Sequence, residues 1–323
     1  MPSDALKCDK PAVTVLMPVY NGARYLREAL ESILAQTCTD FEFLVIDDGS
    51  TDGSPDLVAA YRDERIRLVR RERNMGLIAT LNEGLQLARA DLVARMDADD
   101  VAHPERLERQ LAVLKAHPGL VLVGSDLEII DAAGVPVGYE PKPVEDAGLK
   151  LALSVICAIA HPTVVFRRDA VLKVGGYREE FHAAEDYDLW TRLAGEGEFG
   201  NLPLPLLKYR INPQGESLRK TALQSENSAI ISRREWLKYG PAGPAPKKSW
   251  PLIWPRKSGV EKRRDAVRFY AELHRHFARA YAERGGLMAA LLHQLGAMYW
   301  QCRPVGDAVA LLRTIRSGFR TVR

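Results

Sequence analysis

The sequence predicts an α/β protein, a mainly parallel sheet flanked by helices. Three observations carry that expectation. From Val13 to about Gly124, short apolar runs alternate with apolar residues at helical spacing, the pattern of βαβ units. Three of the runs close in turn-forming or acidic sequence, at Pro18–Gly22, Asp47–Ser54 and Asp97–Asp100, and ligands of such sheets bind outside the carboxyl ends of the strands. No GxGxxG follows the first run and no GxxxxGK[ST] occurs, so a dinucleotide fold is a poor match and the P-loop reading is removed.

Val13-Thr14-Val15-Leu16-Met17 reads as a buried strand ending in the turn sequence Pro18–Gly22. Tyr25, Leu26, Ala29, Ile33 and Leu34 recur at three- and four-residue spacing and predict a helix. Phe41 to Ile46 is a second strand, Leu57 to Tyr61 begins a helix, and Ile66 to Val69 is a short strand. Leu77, Leu81, Leu85 and Ala88 mark a helix entered through Asn74-Met75-Gly76. Leu92-Val93-Ala94 is a strand, and a helix starts near Pro104, a favoured first-turn residue. Beyond Gly124 the alternation fades. Asp131-Ala132-Ala133-Gly134 predicts a hairpin turn, His161 to Phe166 is strand-like, and Glu185 to Ala194 is helical. Leu206 to Ile211 is strand-like, and Ser217 opens a polar helix reaching about Lys238. Pro241, Pro244, Pro246, Pro251 and Pro255 then break regular structure. The expected organisation is a domain over residues 1–239, a Pro-rich linker over 240–259 and a basic amphipathic helical extension over 260–323.

The composition, 46% hydrophobic and 27% charged over 323 residues, suits a folded globular protein. A net charge of +3 argues against a nucleic-acid binder. Cys8, Cys38, Cys157 and Cys302 form no CxxC pair, which disfavours disulfide scaffolding and structural zinc. Met1 to Lys10 lacks the apolar core of a signal peptide. The apolar runs Leu149–Ala160 and Gly286–Trp300 are too short to span a bilayer. The expected location is the cytoplasm, with the inner membrane face as a peripheral site.

The chemistry is concentrated in Arg95-Met96-Asp97-Ala98-Asp99-Asp100, which sets three carboxylates within four residues behind an apolar strand. Were the strand to persist to Asp99, Asp97 and Asp99 would share a face. Like charges ~4 Å apart repel by about 4 kcal/mol at an effective dielectric of about 20, so such a cluster calls for protons, basic partners or a divalent cation. Carboxylates without nearby Cys or His suit Mg²⁺ or Mn²⁺, which complete their shells with water and phosphates. Asp47-Asp48 also follows a strand. There a carboxylate can accept from the imide N–H of uracil or thymine, or cap the Ser50–Ser54 turn or the next helix. Glu185 and Asp186 open a helix, where a carboxylate is either a capping group or a general base. His161 reads as a packed residue or a ligand, and Trp190 as core or acceptor-pocket wall.

The combination extends further. Met17-Pro18-Val19-Tyr20-Asn21-Gly22, Ser32-Ile33-Leu34-Ala35-Gln36-Thr37, Phe41 to Asp52, Asn74-Met75-Gly76, Asp97-Ala98-Asp99-Asp100 and Glu185-Asp186-Tyr187-Asp188-Leu189-Trp190 occur in that order. Together they closely resemble family-2 glycosyltransferases of the GT-A fold, over about Ala12 to Leu218. The resemblance implies a nucleotide-binding half at 12–123 and an acceptor half at 124–239. It implies that Pro18, Tyr20 and Asp48 hold base and ribose, that Asp97 lies near ribose or phosphates, and that Asp99 binds the metal with Asp100 supporting the loop. Asp186 would be the catalytic base of an inverting transfer, preceded by Glu185. His161-Pro162 and Gly175-Gly176-Tyr177 resemble acceptor-side landmarks. The donor implied is a nucleotide-diphosphate sugar, UDP- or dTDP-linked. The acceptor is a hydroxyl of a glycan, lipid-linked glycan or protein glycan. Two departures matter. QxxRW, the mark of processive members, is absent, which favours one transfer per encounter. Where many relatives have Tyr-Arg-x-His, this chain has Tyr209-Arg210-Ile211-Asn212.

Two rivals are weaker. A nucleotidyltransferase would need a Gly-rich basic loop where Pro18–Gly22 stands. An inactive sugar-nucleotide-binding or membrane-surface scaffold is opposed by intact Asp99 and Asp186. Beyond Gly240, Lys247, Lys248, Trp250, Trp254, Arg256 and Lys257 precede a helical pattern that interleaves Arg264, Arg268 and Arg275 with Phe269, Tyr270 and Phe277. That mixture suits an anionic membrane surface or a helical cap with exposed charge.

Overall fold

The structure is a computed structural model that describes residues 10–239, apart from 155, 214 and 216–218. The expected linker at 240–259 and extension at 260–323 lie outside the described residues.

The first half alternates as its sequence dictates: β1 (Val13–Val19), α1 (Ala23–Leu34), β2 (Phe41–Asp47), α2 (Ser54–Ala59), β3 (Ile66–Arg70), α3 (Leu77–Leu87) and β4 (Leu92–Arg95). Then follow β5 (Val101–Ala102), α4 (Arg106–Ala116), β6 (Leu120–Ile130), β7 (Pro136–Glu140), α5 (Asp146–Ala152), β8 (Val165–Arg167), α6 (Arg168–Lys173), α7 (Glu185–Leu193), β9 (Glu198–Arg210) and α8 (Thr221–Tyr239). Among the described residues one nine-stranded sheet runs β3-β2-β1-β4-β8-β6-β9-β5, with β7 on β6.

β1 and β2 are apolar along almost their whole length, so both faces are buried, as expected of central parallel strands. Thr14, the polar exception in β1, is satisfied internally: its hydroxyl donates to Glu42 Oε2 at 2.8 Å and accepts from Ala90 N at 3.1 Å. α1 buries Leu26, Ala29, Leu30 and Ile33, one stripe at helical spacing. α3 lies close on β1 because residue 84 is glycine; a Cβ there would stand 2.3 Å from Leu16 Cδ1.

β3, β2, β1 and β4 are mutually parallel. Beyond β4 the sheet is mixed: β8 is antiparallel to β4 and β6, β9 parallel to β6, and β5 antiparallel to β9. The fading of simple alternation after Gly124 is this change of topology.

Three local expectations need correction. The strand before the acidic cluster ends at Arg95, so Asp97–Asp100 lie on a turn and strand alternation does not govern them. His161–Thr163 is a 3-10 turn and the strand begins only at Val165; Pro162 has no N–H to give a ladder. β9 starts at Glu198, well before Leu206, because Pro203 and Pro205 disguise its first part. Its register against β6 shifts near Pro205. The Asp131 hairpin turn forms as expected: Asp131 Oδ1 accepts from Ala133 N and Val135 N at 2.8 and 3.0 Å, and Gly134 takes φ +84°.

Candidate active site

The parallel register brings the carboxyl ends of β1 and β2 to one level, Val19 opposite Asp47. Asn21, at φ 51°, stitches the two loops: its N–H donates to Ser50 Oγ at 2.9 Å and its Oδ1 accepts from Thr51 N at 2.8 Å. Gly22 N donates to Ser54 Oγ at 3.0 Å and Ala23 N to Asp52 Oδ2 at 3.1 Å. Pro18 is half-buried under this seam, while Tyr20 stands 52% exposed.

Asp48 is buried and does not cap the Ser50–Ser54 turn, a task taken by Asp47 and Asp52. Its Oδ1 accepts from Met75 N and Arg71 Nη1, both at 2.9 Å, and its Oδ2 from Gly76 N at 2.8 Å. The carboxylate therefore fastens the loop that enters α3. An ionised carboxylate offers about four lone-pair sites; these three bonds leave one, on Oδ2. Met75 is 50% exposed. Two exposed apolar side chains, Tyr20 and Met75, thus flank a buried carboxylate.

The acidic turn adjoins this rim, since a Cβ on Gly22 would lie 3.6 Å from Ala98 Cβ. Asp97 forms an ion pair with Arg95. Asp99 Oδ2 accepts from Asn212 Nδ2 at 2.9 Å, so the residue that departs from the family pattern touches the candidate metal ligand. Asp100 is buried; its Oδ1 accepts from Arg210 N at 2.8 Å and its Oδ2 has no partner. Arg210 Nε donates to Asp99 O at 2.8 Å, and its guanidinium also pairs with Glu28. Burial, then the Asp97 charge, pushes Asp99 above the usual carboxylate range; burial and both neighbouring aspartates push Asp100 well above it.

On the other side, α7 opens with Glu185, Asp186 and Asp188. Asp188 is a structural anion, fully buried, accepting from Arg192 Nε at 2.8 Å and from Arg234 Nη1 of α8 at 2.9 Å. Glu185 is buried beside it. Asp186 is half-buried, its Oδ1 accepting from Tyr187 N at 2.7 Å and its Oδ2 lying 3.5 Å from Cys157 Sγ. Burial raises its carboxyl above the ordinary range. Trp190 has no exposed surface and belongs to the core, not to an acceptor-pocket wall. It meets the His161 ring edge-on at 5.8 Å. His161 is also packed: its Nε2 shares a hydrogen bond with the Tyr177 hydroxyl at 2.8 Å, and burial, then the charge of Arg95, holds its pKa well below the usual value.

Sequence reasoning gave no role to Arg95 or Cys157, and it named Tyr177 and Arg210 only as members of family motifs. Arg95 is 2% exposed and forms its ion pair with Asp97. Tyr177 is set by Asn82 of α3, which donates to Tyr177 O and accepts from Tyr177 N, each at 2.9 Å. The only signal for Arg95 was a charge closing an apolar strand.

Among the described residues no group of three or more His, Cys, Asp and Glu is arranged to hold a metal alone. A Mg²⁺-type ion needs only one or two protein carboxylates when phosphates complete its shell. Asp97 and Asp99, mutually repelling, with the orphaned Asp100 Oδ2 behind them, fit such an ion.

Comparison with known proteins identifies the family and the fold. The profile described as Glycosyl transferase family 2 matches residues 14–175. The O-antigen biosynthesis glycosyltransferase WbnJ of Escherichia coli is 33% identical over 235 residues, 70% of this chain and 89% of its own. Two solved structures share the fold. Residues 1–349 of S. aureus TarS with UDP-GlcNAc superpose at TM-score 0.56 and 19% identity, covering 95% of this chain and 92% of that one. The mannosyltransferase PcManGT of Pyrobaculum calidifontis, with GDP-Man and Mn2+, does so at 0.55 and 22%, covering 95% and 80%. By the profile and by WbnJ, matched over most of its own length, the chain belongs to glycosyl transferase family 2.

Proposed function

We propose that this protein transfers one glycosyl group, with inversion, from a nucleotide-diphosphate sugar to an acceptor hydroxyl in polysaccharide, glycolipid or glycoconjugate synthesis. The observation that supports the reading is the rim at the carboxyl ends of β1, β2 and β4, where buried Asp48 fastens the loop into α3 and Gly22 adjoins the Asp97–Asp100 turn.

The base and ribose rest against Tyr20, Met75 and Pro18, with Asp48 fixing the loop beneath them. The one lone pair left on Asp48 Oδ2 suits an imide N–H, the basis for preferring UDP- or dTDP-sugars. TarS and PcManGT bind donors with different bases, so the fold alone does not set that preference. Asp97 and Asp99 would hold the divalent ion, Mn²⁺ or Mg²⁺, which when bound offsets charge on the diphosphate. Asp186 accepts the hydroxyl proton as the oxygen attacks the anomeric carbon from the face opposite the leaving diphosphate. No covalent enzyme intermediate is required. The half-buried setting of Asp186 raises its pKa toward the working pH, which improves a general base.

Two measurements test this. Melting curves with UDP, dTDP, GDP and CDP, each with and without Mn²⁺, are expected to show a metal-dependent upward shift for UDP or dTDP; identical curves for all would defeat donor binding. Asp186→Asn is expected to retain donor binding and to lower kcat by at least about 100-fold, the lower bound for a general base. Wild-type turnover in that variant removes Asp186 from its role.

A further inference from the structure

The end of β9 clasps the aspartate turn. β5, which leaves the turn, pairs with β9 at Lys208 and Leu207. Arg210 N donates to Asp100 Oδ1 at 2.8 Å, and Asn212 Nδ2 donates to Asp99 Oδ2 at 2.9 Å. Both bonds to the carboxylates therefore come from neutral amides. The guanidinium of Arg210 is directed elsewhere. Its Nε donates to Asp99 O at 2.8 Å, its Nη1 to Asp131 O at 3.4 Å, and its Nη2 pairs with Glu28 of α1. Among the described residues no ion pair joins it to Asp97, Asp99 or Asp100. A guanidinium stays charged in a protein, and this side chain is 2% exposed, so it needs an anionic partner. Three aspartates stand beside it, yet the partner is Glu28. α1 prepares that choice. Tyr25 and Glu28 lie three residues apart on one helical face, and the guanidinium stacks over the Tyr25 ring, 4.6 Å from its centroid. Asp100 Oδ2 is a buried acceptor without a partner, on the residue that Arg210 N already holds.

We propose that Glu28 is a positioning residue: by drawing the Arg210 guanidinium to α1, it keeps that charge off Asp99 and Asp100, so that neutral donors hold the turn and its oxygens stay available to a divalent ion. The inference rests on the reading of this turn as the metal site and adds a residue, remote from the ion, on which the site depends. Amide donors fix where the carboxylate oxygens lie without placing a cation on them. A guanidinium and a metal ion compete for the same oxygens, and Asp97 already has a cationic partner in Arg95. With Glu28 neutralised, the buried guanidinium loses its counter-charge, and the unfilled oxygen of Asp100 is the acceptor that β9 itself holds beside it. Glu28 is 54% exposed, so its substitution tests the pairing without opening the core.

The test measures Mn²⁺ binding to the full-length protein, with the nucleoside diphosphate that gives the wild type its metal-dependent melting shift. Bound ion is read from the loss of the free Mn²⁺ signal in electron paramagnetic resonance, against the nucleotide alone. Glu28→Gln is expected to weaken Mn²⁺ binding about tenfold, the lower end of what a neighbouring charge does to a carboxylate equilibrium. Glu31→Gln removes the same charge from the same helix at a residue that accepts from Tyr61, and is expected to bind the ion as the wild type does. Adding Arg210→Met to Glu28→Gln takes away the intruding charge and leaves the main-chain bond from residue 210 to Asp100. Most of the lost affinity is expected to return. Were Glu28 only a brace for α1, the double variant would bind no better than the single one. Wild-type affinity in Glu28→Gln overturns the inference, as does equal weakening in Glu31→Gln or a folded double variant without recovery. A wild type that takes up no Mn²⁺ with UDP, dTDP, GDP or CDP overturns the metal reading itself, and the inference with it.

Discussion

Asp48 receives three protein hydrogen bonds and exposes almost nothing. Asp48→Asn keeps the volume but turns one acceptor oxygen into a donor facing an N–H. Losing a bond to a charged acceptor and leaving a donor unpaired costs about 2–3 kcal/mol. Urea denaturation should report that loss, together with weaker donor binding as the Asn74–Gly76 loop loosens. His161 carries a prediction about pH. Its folded pKa lies below its ordinary 6.5, so between those two values the unfolded chain binds a proton that the folded chain refuses. Stability is therefore fully present above 6.5 and falls as pH drops toward the folded value. The difference in Tm between wild type and His161→Gln should widen or narrow with pH only below about 6.5, the ordinary histidine value; a difference constant from pH 5 to 8 would contradict the buried neutral imidazole.

At the scale of elements, α3 lies close on β1. Gly84→Ala sets a methyl carbon 2.3 Å from Leu16 Cδ1, and overpacking of this kind costs about 1–3 kcal/mol. The expected result is a lower Tm with the donor melting shift retained, since α3 carries the Asn74–Gly76 loop only at its entrance. The elements differ in how far the sequence disclosed them. β1 to β4 and their helices were legible because each carries its own apolar signature. β9 was not, since its prolines mimic a loop and its partner β6 lies far back in the chain. Asp99 and Asp186 could be named from their surroundings in sequence. Tyr177 stood out only as the end of Gly175-Gly176-Tyr177; its bonds to Asn82 lie across the fold and carry no local mark. The glycines did mark a turn, with Gly175 and Gly176 at φ +85° and +65°.

For the whole molecule, no described helix is long and apolar enough to cross a membrane. The basic and aromatic residues beyond Gly240 supply a prediction at this scale. The full chain is expected to float with anionic liposomes and a chain ending at Tyr239 to remain behind, with weaker flotation at higher salt; equal flotation of both removes surface docking by that segment. The sheet itself has a further consequence. Arg210 reaches Asp100 across 110 residues of sequence, and it does so from the last residue of β9. A nascent polypeptide halted before that point possesses its parallel strands and every residue of the aspartate turn, yet nothing seals the turn. Ribosomal synthesis must therefore pass residue 210 before the aspartate turn gains the bonds that close it.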